Sequence, residues 1–355
     1  MALVFYGRRE TVSILDCYLK RNLVKNGGML DGAIFLEQTK DPHNLALLQR
    51  MLDSEPDYVR WDKDWTTGGF SGSYDYVQDD VLYIKMDDDI VFIEDSTIPA
   101  LVQTKFARPD TYIVGANVIN QAMFSWMHYN MGAVKSYLPD PSQYMMPGPG
   151  LDVDWRDSTL PAWEGPDDFD AFEWAPPEGK HRWLPTRGRT HHVLDRTPIA
   201  RTEYSPGGPG WEFWQIAAQE HYSFFDNLER GEMDRYRFHT WDFQYARMGI
   251  QFIIIMGRDI NAAKPIDGDD EHHFSVTMPQ RTGRHAIADG RGVVAHYSYF
   301  TTYDGLGRTD VMDRYRSFAK QHICASPMLW SPEQDLIKVA HPEDMEADEM
   351  DSTRR

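Results

Sequence analysis

Over the first 120 residues the chain alternates between two hydrophobic periods. Ala2–Tyr6 is a short apolar run that predicts a strand. Across Glu10–Lys25, Ile14, Leu15, Tyr18, Leu19 and Leu23 recur at helical spacing, and Gly27–Gly28 closes the segment. Gly32–Leu36 reads as a second strand. Asp41 is placed to cap a second helix, with Pro42 at its first position and Leu45, Leu48, Met51 and Leu52 along one face. Tyr58–Trp61, Val81–Lys85 and Tyr112–Gly115 are further strands. Thr66–Ser73 is a glycine-rich loop, and Thr97–Phe106 a helix ended by Pro109. Strand–helix alternation with short links predicts a parallel sheet covered by helices on both faces, an α/β layer architecture.

The pattern breaks between Pro139 and Pro209. That stretch holds 12 of the chain's 21 prolines, together with Trp155, Trp163, Trp174 and Trp183, so it cannot form long helices or central strands. Periodicity resumes with a helix over Trp211–Glu229 and a strand over Gln251–Met256. A helix over Glu271–Arg281, a strand over Gly292–His296 and a helix over Thr309–His322 follow. The expected organisation is one catalytic domain in which 1–120 and 211–330 form two halves. Residues 121–210 form a Pro/Trp-rich insert serving as acceptor side or lid, and 331–355 an acidic tail.

Composition narrows the function. Acidic side chains number 55 and basic ones 36, a formal net charge of −19. His341–Arg355 carries six acids against two arginines, so most of the surplus belongs to the body. A field of that sign repels polyphosphate and argues against nucleic-acid partners. With a mean hydropathy of −0.56 and no 18-residue apolar run, no membrane-spanning helix is expected. Cys17 and Cys324 are too few for a disulfide scaffold, and no CxxC or HExxH points to zinc. The start of the chain reads as a strand, not a signal peptide. Localisation stays open: cytoplasmic for the chain as it stands, secretory lumen if an N-terminal anchor precedes it.

The most informative segment is Val81–Glu94, VLYIKMDDDIVFIE. A buried strand runs straight into Asp87, Asp88 and Asp89, then into a second apolar run. Adjacent carboxylates at the end of a core strand repel one another, and a hard divalent cation such as Mn²⁺ or Mg²⁺ removes that cost. In open α/β sheets, ligands gather at the carboxyl ends of strands. No P-loop, GxGxxG or Lys/Arg cluster follows an early strand, so a cation held by Asp87 and Asp89 is the positive centre available for a diphosphate. A solvated acidic turn is the plainer reading of such a triplet.

In this strand context the triplet resembles the DxD motif of GT-A-fold nucleotide-sugar glycosyltransferases, and the chain is similar to an uncharacterised fungal glycosyltransferase-like group. The resemblance covers Leu3–Asn120 and Trp211–His322. It implies a GT-A-like, Rossmann-like central sheet and metal-dependent hexosyl transfer from a UDP- or GDP-sugar to a hydroxyl on a glycan, glycolipid, protein or small molecule. It places Asp87 near the ribose and Asp89 on the metal, with Asp88 able to replace either. Tyr6, Gly7 and Arg8 would hold the nucleotide, and Glu37 and Thr39 the base or ribose. Arg8 and Arg9 read equally well as a solvated pair at a helix start.

The late segment Asp267–Ser298 also matches the family's arrangement, an acidic pair opening a helix and then a strand ending in a metal-binding histidine. Asp270 or Glu271 would be the catalytic base and His296 a metal ligand. The bland alternatives are that Asp269, Asp270 and Glu271 complement a helix dipole, and that His296 is a satisfied core residue. Asp242 is a rival base, more simply an N-cap opening a helix-like stretch. Trp126, His128 and Asn130 are candidates for the sugar pocket. His191–His192 and His272–His273 lack ligand spacing. Two other functions fit the same acids: a metal-dependent phosphohydrolase or nucleotidyltransferase on small nucleotides, and a non-catalytic nucleotide-sugar-binding protein.

Overall fold

The computed structural model describes residues 1–61, 71–142, 153–188 and 194–335. The glycine-rich loop over 66–70, His191–His192 and the tail beyond 335 lie outside the described residues.

The apolar runs become eleven strands among the described residues: β1 (Ala2–Tyr6), β2 (Ala33–Glu37), β3 (Tyr58–Trp61), β4 (Leu82–Asp87), β5 (Ile90–Ile93), β6 (Thr111–Ile119), β7 (Tyr137–Pro139), β8 (Trp183–Pro185), β9 (Trp241–Asp242), β10 (Phe252–Met256) and β11 (His285–His296). Nine of them form a mixed sheet in the order β3-β2-β1-β4-β10-β6-β11-β5, with β9 attached to β11. β1, β2, β3, β4, β6 and β11 share one direction, which makes the sheet mostly parallel. Helices Arg9–Arg21, Pro42–Ser54, Thr97–Ala107, Trp214–Arg230 and Val311–His322 pack against it.

The expected mostly parallel α/β sheet is present, and β10 is its reversed inner strand. Its run Phe-Ile-Ile-Ile-Met lies antiparallel between β4 and β6, with Ile254 opposite both Ile84 and Val114. A strand buried on both faces carries no pattern that sets its direction. Strand β11 is also longer than the expected Gly292–His296. Gly290 and Gly292 belong to a bulge between Asp289 and Val293, and β11 continues through it. A side chain at 292 would meet Thr97 Cα at 2.3 Å, so glycine lets this strand pass the helix Thr97–Ala107. Asp242 lies in the two-residue strand β9 and opens no helix. There it pairs with His285 at 2.9 Å, at the end of β11 remote from His296.

The link that positions the site joins β4 to β5. β4 pairs with β1 and β10, whereas β5 pairs with β11, four places along the sheet order. Four flat-sheet spacings would be roughly 19 Å, yet Asp88 and Asp89 alone bridge the strands and reach at most about 11 Å. The sheet must therefore coil, and the bulge in β11 supplies such a bend. As a result Ile90 pairs with His296, and Asp89 O accepts from Tyr297 N at 2.8 Å.

The described part of the Pro/Trp-rich insert is packed into the body. Trp163 and Trp183 are buried, β7 and β8 pair, and Trp155 meets Phe318 edge-on at 4.9 Å while its Nε1 donates to Gln321 at 3.0 Å. Among the described residues no helix is long and apolar enough to cross a membrane.

The two cysteines, too few for a scaffold, form one bridge between Cys17 in the first helix and Cys324 just beyond Val311–His322, 307 residues apart. Closing so long a loop in the unfolded chain is worth about 6 kcal/mol on the chain-entropy account. Replacing half-exposed Cys324 by serine should lower the unfolding free energy by about 2–5 kcal/mol in guanidinium titrations. Reductant should erase the difference between variant and parent; equal stabilities without reductant would refute the bridge.

Candidate functional site

A cleft of about 1120 Å³ opens at the carboxyl ends of β1 and β4. It is lined by Gly7 and Arg8, by Asp87, Asp88 and Asp89, by Asp270 and Glu271, and by His296. Eight residues singled out in sequence, from four separate segments, thus meet in one place.

β4 explains the local arrangement. Period-2 alternation puts Lys85 and Asp87 on one face of the strand. Lys85 is buried, with Nζ 2.5 Å from Asp87 Oδ1 and donating to Ile250 O at 3.0 Å, over the Phe5 ring. Burial disfavours the ammonium, but Asp87 and Asp270 outweigh it and raise the Lys85 pKa. Asp88 turns the other way. Its Oδ2 accepts the amide N–H groups of Gly7 (3.0 Å) and Arg8 (2.7 Å), and the Arg8 guanidinium grips both of its oxygens. Burial, only partly offset by Arg8, pushes the Asp88 carboxyl up to about 6. Arg8 Nη2 also reaches Asp89 Oδ2 at 3.0 Å.

These contacts settle which carboxylates of the triplet face a common point. Asp87, Asp89 and His296 each offer one ligand atom, all within 4.8 Å of one another; Asp88 is spent on the Gly7–Arg8 loop. Each of the three is held by a neighbour: Asp87 by Lys85, Asp89 through Oδ2 by Arg8, and His296 through Nδ1, 3.1 Å from Asn120 O. A carbonyl only accepts, so Nδ1 carries a proton, and in the neutral ring Nε2 presents its lone pair. That lone pair sits 3.4 Å from Asp89 Oδ1, a buried oxygen without a hydrogen-bond partner among the described residues. Two acceptors facing each other are repulsive, and a cation between them makes the contact favourable. The donor set therefore fits a divalent ion, with orienting partners of the kind that metal ligands use. Asn120 adopts φ 60°, and its amide donates to His296 O (3.2 Å) and Tyr297 O (2.8 Å), tying the end of β6 to that of β11.

The acidic cluster at the start of Asp270–His272 divides its roles. Asp269 caps the helix by accepting from His272 N, and Arg247 clamps both Asp269 (2.6 and 3.0 Å) and Glu271 (2.5 Å). Burial still pushes the Glu271 carboxyl up. Half-buried Asp270 accepts from Tyr74 OH at 2.9 Å and forms no ion pair among the described residues. The helix continues as a π-helical turn over His273–Thr277, a rare form often found near functional sites.

Other sequence candidates fall outside the cleft lining. Tyr6 is buried and donates to Asn44 O at 2.5 Å, shaping the loop that carries Gly7. Glu37 pairs with Arg60 and Lys40, Thr39 accepts from Asp41 N and Asn44 Nδ2, and Gln38 between them faces the cleft. Trp126, His128 and Asn130 do not line it: His128 is a core residue bonded to Asn117 (2.7 Å) and Glu220 (3.3 Å), Trp126 packs on Tyr204, and Asn130 caps Trp126 O. Sequence reasoning missed Lys85, Asn120, Arg247, Gln251 and the aromatic rim Trp211, Phe300 and Tyr303. A lysine inside the apolar run of β4 was the one legible signal, because a buried ammonium needs an acidic partner.

No protein-family model matches this chain, and no curated protein matches it.

The Gly7–Asp88 contact is close enough to test. A methyl at position 7 would lie 3.0 Å from Asp88 Oδ2 and displace it from two charged hydrogen bonds. Gly7→Ala should cost about 1–3 kcal/mol of stability and weaken Mn²⁺ binding severalfold by calorimetry. Unchanged values for both would remove this contact from the site's architecture.

Proposed function

We propose that the protein is a metal-dependent GT-A-type glycosyltransferase that moves a sugar from a nucleoside-diphosphate sugar to a hydroxyl acceptor. The observation that carries this reading is the convergence of Asp87, Asp89 and His296 on one point in a cleft that also holds Asp270. The cleft's charged side chains support it. Three cations (Arg8, Lys85, Arg247) and five acids (Asp87, Asp88, Asp89, Asp270, Glu271) leave a net of two negative charges, which one divalent ion balances.

A divalent cation bound there supplies positive charge against the departing diphosphate, about 4 kcal/mol per pair of unit charges ~4 Å apart at an effective dielectric near 20. The chain's own residues do the rest. Lys85 and Arg8 keep the ligand carboxylates oriented, so that no reorganisation is needed as charge develops. The Gly7–Arg8 loop borders the place where the nucleotide would lie. Asp270, oriented by Tyr74 and unclamped by a base, is the group suited to take the acceptor hydroxyl's proton in an inverting transfer. Glu271, clamped by Arg247, is the weaker candidate.

Asp89→Asn should abolish Mn²⁺-dependent binding of UDP or GDP in titration calorimetry while leaving the melting temperature nearly unchanged. Retained nucleotide affinity would exclude Asp89 from the site, and parent protein that binds neither nucleotide would sink the reading. With an active donor–acceptor pair, Asp270→Asn should lower kcat by roughly 10²–10⁴-fold with donor affinity preserved, and Glu271→Gln much less. Equal rates in all three proteins would place the base elsewhere or make it unnecessary.

A further inference from the structure

Two polar side chains in the cleft remain unexplained by cation or phosphate binding. Gln251 and Ser298 are 4% and 3% exposed, yet Gln251 Oε1 and Ser298 Oγ have no hydrogen-bond partner among the described residues. Both flank the ligand cluster: Gln251 O accepts from Asp87 N at 3.0 Å, and Ser298 follows His296 by two residues. The space that Gln251 uses exists because residue 249 is glycine, since a Cβ there would meet Oε1 at 2.3 Å. A buried carboxamide oxygen needs a donor, and a hydroxyl-bearing ligand provides one.

The rim has the complementary chemistry. Phe300 is 81% exposed at the cleft mouth, its ring 5.2 Å from Trp211, and Thr301 bonds to Trp211 O, tying the two segments together. Tyr303, beside the Arg8 guanidinium, continues the rim. Flat aromatic faces accept the C–H face of a saturated ring, while its edge hydroxyls need polar partners. The field of a chain of charge −19 disfavours a second anionic ligand at this mouth beside the diphosphate.

We propose that the acceptor is a neutral carbohydrate whose ring stacks on the Phe300–Trp211 rim, with Ser298 and Gln251 bonding hydroxyls on the cleft floor. This rests on the transferase reading for its role, but it can be tested apart from it. Short neutral gluco-, galacto-, manno- and chito-oligosaccharides, with uronic-acid oligosaccharides as the anionic arm, would be titrated with and without Mn²⁺ and UDP or GDP. Binding would be followed by calorimetry and tryptophan fluorescence. At least one neutral oligosaccharide should bind. Phe300→Ala, a surface change that leaves the fold intact, should weaken it roughly three- to tenfold. Phe300→Trp should restore it, Ser298→Ala should weaken it independently, and Phe300→Ala should bind Mn²⁺ and nucleotide as the parent does. Binding of the anionic series alone, failure of every neutral sugar, or an unchanged affinity in Phe300→Ala would overturn the proposal. Neutral sugar bound without any Mn²⁺-dependent nucleotide binding would uphold the subsite and overturn the transferase reading.

Discussion

Three carboxylates at the carboxyl end of a buried strand must be neutralised, and the surrounding architecture follows from that requirement. Lys85 approaches from within β4, Arg8 from the loop after β1, and the amides of Gly7 and Arg8 take up Asp88. Arg8 binds Asp89 through Oδ2 and leaves Oδ1 toward His296. What remains is Asp89 Oδ1, buried without a hydrogen-bond partner among the described residues and 3.4 Å from His296 Nε2. A buried carboxylate oxygen with no donor beside it is a natural place for a hard cation.

That local chemistry depends on the coil of the sheet. The two-residue link from β4 to β5 draws the far edge of the sheet toward its parallel half, and the bulge in β11 gives the bend. Asn120, held at positive φ, then locks the ends of β6 and β11 together and fixes the His296 ring. The residue at positive φ thus stands where the His296 ring is oriented toward Asp87 and Asp89. The last part of the Pro/Trp-rich insert, Pro206 and Gly207, lines the cleft together with Trp211, while its tryptophans anchor the rest against the body. The insert therefore links the rim of the cleft to the core.

The α/β architecture, the positions of most strands and the acids that matter were legible from residue order. Apolar runs of strand length alternating with helical stripes report burial directly, because burial is what those patterns encode. The same holds for Asp87 and Asp89: carboxylates between two buried runs stand out against their surroundings. Lys85 gave a partial signal, as a charge that burial obliges to find a partner. The Asp88–Arg8 pair, the Arg247 clamp and the bridge between Cys17 and Cys324 gave none, since their partners lie tens to hundreds of residues apart.

By itself, then, the order of residues determined the kinds of element, the place of the acidic turn and the overall charge, all of which depend on near neighbours in the chain. Tertiary structure alone decided that β10 runs backward, that Asp88 is spent on a loop while Asp87 and Asp89 face His296, and that His128 belongs to the core. It also decided that Asp270 is free of the clamp holding Asp269 and Glu271. The physical reason is the same in each case. Direction, hydrogen-bond partner and the side of a carboxylate left open are set by groups brought together through long loops, and no local period records them.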